Sequence, residues 1–391
     1  MKRLYLDYCA STPLHPLVLK KLIESSQYIY ANPSSVHQMG YEASCLIEES
    51  RKVISELLNV KSSEVVFTSG ATESNNMAII GLIRKIKEKS KVTPHIIISQ
   101  IEHPSVYNCC KALEKDGVEV TYVSVDKNGL VNVSEIEDSI RENTVLVSIM
   151  HVNNETGSIQ PIDEIGELIQ SKENICFHVD GVQGFGKVPL ELDNIDLFTI
   201  SGHKIGGPKG IGILVIKENI EISPIIFGGS QENSIRPGTT NLPGVVSITE
   251  AIKIALLDFN KRFNYLVELY TYISSQIKKK KEFTINSPKL SLSSPHILNL
   301  SYHQEGITSA QLINLFAKRG VILSSQSACS SKSSKLSRVL MAMSHNEVIS
   351  SSSIRISLHE TMTFSDADYL LQSIEEVLEQ IKQKKRFAIN I

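Results

Sequence analysis

Leu197-Phe-Thr-Ile-Ser-Gly-His-Lys-Ile-Gly-Gly-Pro-Lys-Gly-Ile-Gly212 opens with a short apolar run and closes in a glycine-rich turn. Leu197–Ser201 reads as a buried strand, being continuous, β-favouring and bounded by turn residues. The glycines beyond it let other backbone or a ligand come close, and Lys204 falls just past the strand end. The chain re-enters an apolar run at Gly212–Ile216. Working outward, the same grammar recurs at Glu64–Thr68, His95–Ser99, Glu119–Val125, Val145–His151 and Ile175–Val179. Helical patterns lie between, as in Ser74–Lys89, where Met77, Ile80, Ile83 and Ile86 recur at helical spacing. Continuous apolar strands separated by helices predict an α/β fold, with a mostly parallel seven-stranded sheet covered on both faces. In such sheets ligands sit at the carboxyl ends of the strands.

After about residue 255 the pattern changes. A long amphipathic helix is expected over Leu256–Lys281, with Phe259, Phe263, Leu266 and Ile273 as its stripe. Shorter strands (His296–Leu300, Val321–Leu323, Ile354–Leu358) then alternate with helices near Ser309–Arg319 and Asp366–Lys382, and Gly320 is a helix stop. The expected division is a large α/β domain over residues 15–258 and a smaller α+β domain made of 1–14 and 259–391. Ser324–Ser337 holds eight serines and two lysines around Cys329, the composition of a polar loop.

Composition narrows the function classes. In 391 residues, 40 Lys+Arg face 42 Asp+Glu for a net charge of −2, which argues against a basic nucleic-acid surface. The longest apolar stretches, such as Ile211–Ile216, fall far short of the ~20 residues that span a bilayer. Met1-Lys-Arg-Leu-Tyr-Leu-Asp7 lacks a secretory apolar region, so a cytoplasmic protein without membrane contact is expected. The six cysteines form no CxxC pair, which speaks against a disulfide framework or a zinc knuckle and fits a reducing compartment.

Five strand ends carry candidate chemistry. Lys204 is either a surface lysine or, if its surroundings lower its pKa, a Schiff-base former. Thr68-Ser-Gly-Ala-Thr-Glu73 joins a strand to a helix, so the backbone N–H groups at Gly70, Ala71 and Thr72 form an anion cradle or a plain cap. Asp180 ends a strand and needs a partner, which a protonated pyridine nitrogen or loop amides supply; Gln183 lies three residues on. His103 follows another strand, and Asn154 a further one. An anion cradle, an acid, a lysine and a flat ring together suit pyridoxal 5′-phosphate (PLP). A nucleotide P-loop is excluded because Gly184-Phe-Gly-Lys187 is followed by Val188, which cannot ligate magnesium.

With these residues in view, the sequence resembles a cysteine desulfurase of the NifS/IscS group, in the class V aminotransferase family of fold-type I PLP enzymes. The matching stretches include Asn32-Pro-Ser-Ser-Val-His37, Thr68–Asn75, Met150-His-Val-Asn-Asn-Glu155, His178–Gln183, Ser201–Gly212, Arg236-Pro-Gly-Thr239, Ser327-Ala-Cys329 and Ile354-Arg-Ile-Ser-Leu358. The resemblance implies that Lys204 holds PLP and moves the substrate Cα proton, that His103 stacks on the ring, and that Asp180 pairs with its nitrogen. It further implies that Gln183 bonds the ring's phenolic oxygen and that Thr72, Ser201 and His203 bind phosphate, with Thr239 reaching across a homodimer. Asn154 and Arg355 would bind the carboxylate of L-cysteine. Cys329 would take the substrate sulfur as a persulfide, leaving L-alanine, and pass it to an acceptor protein such as an iron–sulfur scaffold or a tRNA-thiolation protein. Lys332 and Lys335 stand near enough in sequence to favour its thiolate. Gln326, His359-Glu360, Gly206 and Ser230 depart from the common family residues, which are glycine, Gly-Arg, an aromatic and glycine respectively. The same resemblance also accommodates a class V aminotransferase or selenocysteine lyase, or a PLP-binding scaffold that docks partners.

Overall fold

The computed structural model describes residues 2–303, 306–325, 336–344 and 346–389. Its centre is a seven-stranded sheet with the order Val65–Thr68, Gly212–Ile216, Leu197–Ser201, Cys176–Asp180, Thr144–Met150, His95–Ser99, Glu119–Val123. Gly212–Ile216 runs antiparallel to both neighbours and the other pairs are parallel. The strands lie within two residues of the sequence expectation. Every residue of His95–Ser99, Cys176–Asp180 and Leu197–Ser201 is buried, as continuous apolar runs between two helical layers require.

Two apolar cores line the faces of this sheet. One gathers Ile54, Phe67, Val147, Phe177 and Ile213 with Val245 and Ile248 of the helix Leu242–Leu256. The other gathers Ile79, Ile83, Ile96, Ile98, Val106 and Leu214. A third core lies apart and unites the chain's start with its second half: Leu4 and Leu6 pack with Leu269, Ile273, Leu300, Phe316, Ile356 and Ile374. There Ile297–Tyr302 is the middle strand of an antiparallel three-stranded sheet between Ser353–Ser357 and Phe283–Ile285. Leu4–Tyr5 pairs in parallel with Val321–Ile322, which threads residues 7–12 between this unit and the large sheet.

The helix expected over Leu256–Lys281 is instead two helices. Leu242–Leu256 ends where Leu257 turns extended, Asp258 adopts a left-handed φ of 50°, and Phe259–Ile277 begins anew. The apolar period continues across this break and no Gly or Pro marks it, so periodicity alone hides it. The helix expected from Ser74 starts earlier, at Ala71, and passes through a π turn at Met77–Gly81 before ending at Lys89. Of the serine-rich stretch, Ser324, Ser325 and Ser337 are buried. Gln326, Cys329, Lys332 and Lys335 lie outside the described residues. Among the described residues, no helix is long and apolar enough to cross a membrane.

Candidate active site

The carboxyl ends of the large sheet open into a cavity of about 400 Å³. Gly70, Ala71, Thr72, His103, Asn154, Asp180, Gln183, Ser201, His203, Lys204 and Arg355, all singled out in the sequence, line it. Thr239 does not line it and is exposed on the same chain. Cys329 lies outside the described residues.

The anion cradle depends on close backbone packing. Gly70 caps the helix that begins at Ala71 with φ 144°, a conformation that favours glycine. Opposite it, a Cβ on Gly212 would lie 2.6 Å from the Gly70 Cα, so only glycine lets the strand and the cradle approach. Glu73 steadies the first turn, accepting from Ser69 N at 2.5 Å and pairing with Arg236 at 2.8 Å. These contacts lower its pKa against the opposing effect of burial.

Asp180 sits at the buried end of Cys176–Asp180 and is 4% exposed. Its Oδ1 accepts from Val182 N at 3.1 Å and its Oδ2 from Asn75 Nδ2 at 2.8 Å. The same amide group donates to Ser105 Oγ at 2.8 Å, and Ser105 Oγ lies 2.8 Å from His103 Nδ1. His103 Nδ1 also accepts from Ser105 N at 3.2 Å, so the ring's proton resides on Nε2. Burial pushes the His103 pKa down, which keeps the ring neutral, although Asp180 pulls the other way.

Lys204 lies in the single turn that follows Leu197–Ser201. Its Nζ donates to Cys9 O at 2.5 Å and Ala10 O at 3.0 Å. Burial first, then Arg355, brings its pKa down from 10.5 to about 8. Gln183 Nε2 donates to the same Cys9 carbonyl at 3.0 Å. Across the cavity Arg355, 1% exposed, donates to Asn154 O at 2.6 Å, Asp7 Oδ1 at 3.0 Å and Ser324 Oγ at 2.9 Å.

Several buried polar atoms stay unsatisfied among the described residues: Gln183 Oε1, Asn75 Oδ1 and Arg355 Nε. Each belongs to a residue on or behind the cavity wall, and buried groups of this kind normally have partners. An anion cradle, a carboxylate at the base, a lysine of lowered pKa and a spare arginine donor fit the phosphate, ring nitrogen, aldehyde and substrate carboxylate of a PLP site.

Sequence reasoning missed four contributors. Asp7 and the Cys9–Ala10 carbonyls come from the amino-terminal segment, and no local pattern links them to Lys204 or Arg355. Asn75 stands three residues beyond Thr72, so helical spacing could have placed it facing the strand ends. Glu102 is fully buried beside His103, accepts from Ser99 Oγ at 2.6 Å and Met150 N at 3.0 Å, and is pushed up to about 8 by burial. Its backbone carbonyl accepts from Arg338.

Residues 4–370 match the model of the family described as aminotransferase class-V. The chain belongs to the class-V aminotransferase family. Within it the chain is similar to proteins of the NifS/IscS group. It is 40% identical over 399 residues to the cysteine desulfurase IscS of Dictyoglomus turgidum, covering 100% of this chain and 99% of that protein. A solved structure titled a NifS-like protein superposes with a TM-score of 0.90 at 35% identity, covering 97% of this chain and 100% of that one. The structure of SspA in complex with cysteine superposes with a TM-score of 0.79 at 35% identity, over 91% of this chain and 99% of that one. This member of the family is therefore built on the fold the sequence implied, an α/β sheet layered between helices with a second α+β unit.

Proposed function

We propose that this class-V aminotransferase family member is a PLP-dependent cysteine desulfurase, converting L-cysteine to L-alanine and handing the sulfur on through Cys329. The observation that carries this reading is the convergence of Lys204, Asp180, His103, the Gly70–Thr72 cradle and Arg355 on one cavity. Relatives named cysteine desulfurase along the whole chain add to it.

Lys204, Asp180, Gln183 and His103 would hold the cofactor, with Thr72, Ser201 and His203 on its phosphate. When bound, PLP supplies an electron sink that makes the substrate's Cα–H acidic and its sulfur electrophilic. Asp180, oriented by Asn75 and the Val182 amide, would pair with the ring nitrogen. Neutral His103 would stack on the ring without adding charge. The guanidinium of Arg355, oriented by Asp7, Ser324 and the Asn154 carbonyl, would take the substrate carboxylate through its free Nε–H. Lys204 Nζ, with its lowered pKa, would accept the Cα proton in its neutral form and return it later. The Cys329 thiolate then attacks the substrate sulfur. An S–S bond forms as the C–S bond breaks, the electron pair of that bond stays with carbon, and protonation gives the methyl group of alanine.

The persulfide on Cys329 passes to an acceptor protein, such as an iron–sulfur scaffold or a tRNA-thiolation protein. The working form is a homodimer in which Thr239 completes the neighbouring phosphate site, consistent with its exposure next to the cradle-bracing Arg236. Free thiols at Cys9, Cys45, Cys109, Cys110 and Cys176 suit a reducing compartment such as the cytoplasm. The test is alanine and sulfane sulfur release from L-cysteine by the PLP-loaded protein. Lys204→Ala is expected to abolish both. Cys329→Ala is expected to keep the cofactor's absorbance and lose sulfur delivery; alanine formation at the parent rate in that variant would refute the thiol step.

A further inference from the structure

A second cavity of about 260 Å³ shares Lys204 with the first. It is lined by residues of the segment Tyr8–Pro16, the turn at Gly186–Lys187, residues 358–361 and the first turns of the helix Phe259–Ile277. The helix lines it with an apolar wall of Phe259, Phe263 and Leu266. Gly206 lines it without a side chain, which leaves that flank open.

The rest of the wall carries nitrogens that lack partners among the described residues. His296 is 2% exposed and its Nε2 has no hydrogen-bond partner among the described residues; Arg262 Nε has none either. Both face this cavity. Lys187 lines it too, and its ammonium makes no hydrogen bond or ion pair among the described residues. Burial pushes the pKa of Lys187 down and, with Lys187 adding to it, pushes His296 well down. The one carboxylate in the wall, Glu360, is already shared between Arg262 at 3.6 Å and His359 at 3.4 Å. Positive charge and unpartnered nitrogens, set in one cavity with aromatic and aliphatic surface, suit an amphipathic anion.

We propose that this cavity binds a short-chain aliphatic carboxylate, its carboxylate taken by Lys187, His296 Nε2 and Arg262 Nε and its tail lying against Phe259, Phe263 and Leu266. Lys204 lines both cavities, so the ligand lies beside the lysine of the first. The site does not depend on the desulfurase reading, because none of the groups that take the carboxylate belongs to the catalytic set.

Hexanoate, with eight non-hydrogen atoms, matches the volume, and calorimetric titration into the PLP-loaded protein is the test. L-Alanine at saturating concentration fills the Arg355 site, the other place a carboxylate could go. The expected result is saturable binding of one hexanoate per chain with alanine present, and binding of hexan-1-ol at least tenfold weaker. Lys187→Met is expected to weaken hexanoate at least tenfold with turnover and melting temperature unchanged. Ile254→Phe, which fills the cavity from its wall, is expected to abolish binding. Loss of hexanoate binding when alanine is added, equal affinity for hexanol, or a Lys187→Met variant that binds like the parent would each overturn the proposal.

Discussion

Asn75 Nδ2 stands 2.8 Å from Asp180 Oδ2 and, through its second amide hydrogen, reaches Ser105 and so His103. One neutral side chain thus fixes the carboxylate proposed for the ring nitrogen and the imidazole proposed for the ring face. Hydrogen bonds to a charged group are worth ~1.5–3 kcal/mol. Asn75→Ala is therefore expected to weaken PLP binding by about tenfold or more, read by cofactor titration. It should also broaden the His103 ring signal in NMR. Unchanged affinity would mean that Asp180 needs no second donor.

The fork of Arg355 cannot be replaced by a point charge. Lysine at that position cannot bond Asn154 O, Asp7 Oδ1 and a substrate carboxylate in the same geometry. Arg355→Lys is expected to raise KM for L-cysteine about tenfold or more with a smaller change in kcat, checked by steady-state kinetics. Equal falls in kcat and kcat/KM would place the arginine's role in the transition state alone.

Lys204 titrates near 8 in place of 10.5, chiefly because it is buried. The nucleophile that captures an aldehyde is the neutral amine, whose fraction grows as pH rises. At pH 7 that fraction is ~10%, against ~0.03% for an ordinary lysine. The rate of PLP uptake by the cofactor-free protein is expected to climb tenfold per pH unit up to about pH 8 and then level off. A rate still rising between pH 9 and 10, followed by stopped-flow absorbance, would contradict this environment for the amine.

The large sheet was legible because buried parallel strands are continuous apolar runs, and Leu197–Ser201 and His95–Ser99 coincide with their expected limits. The site was legible where chemistry clusters at strand ends, as with Asp180 and Lys204. What remained hidden is long-range. Asp7 lies 348 residues from Arg355 along the chain, and the Cys9 carbonyl that receives Lys204 carries no side-chain signal. Glu102 was passed over because burial, which gives it its character, cannot be read from a lone acidic residue beside a histidine. The break at Asp258 was invisible because the apolar stripe continues through it.

Glu102 is raised from 4.5 to about 8 by burial, so the folded protein holds a proton there that the unfolded chain releases above pH 4.5. Its stability contribution is complete below pH 4.5 and is lost as pH rises through 8. Glu102→Gln keeps the shape and removes the titration. The parent is expected to lose stability relative to this variant between pH 5 and 9, on the order of 4 kcal/mol, measured by urea denaturation at several pH values. Parallel pH profiles would show that Glu102 is ionised in the fold.

The PLP-loaded protein, incubated with L-cysteine without reductant and analysed by peptide mass spectrometry, gives the most direct measurement. The expected result is one added sulfur on the peptide containing Cys329, appearing in step with alanine and absent in Lys204→Ala. Added sulfur on Cys9 or another cysteine, with Cys329 unmodified while alanine forms, would contradict the assignment of Cys329 as the sulfur acceptor.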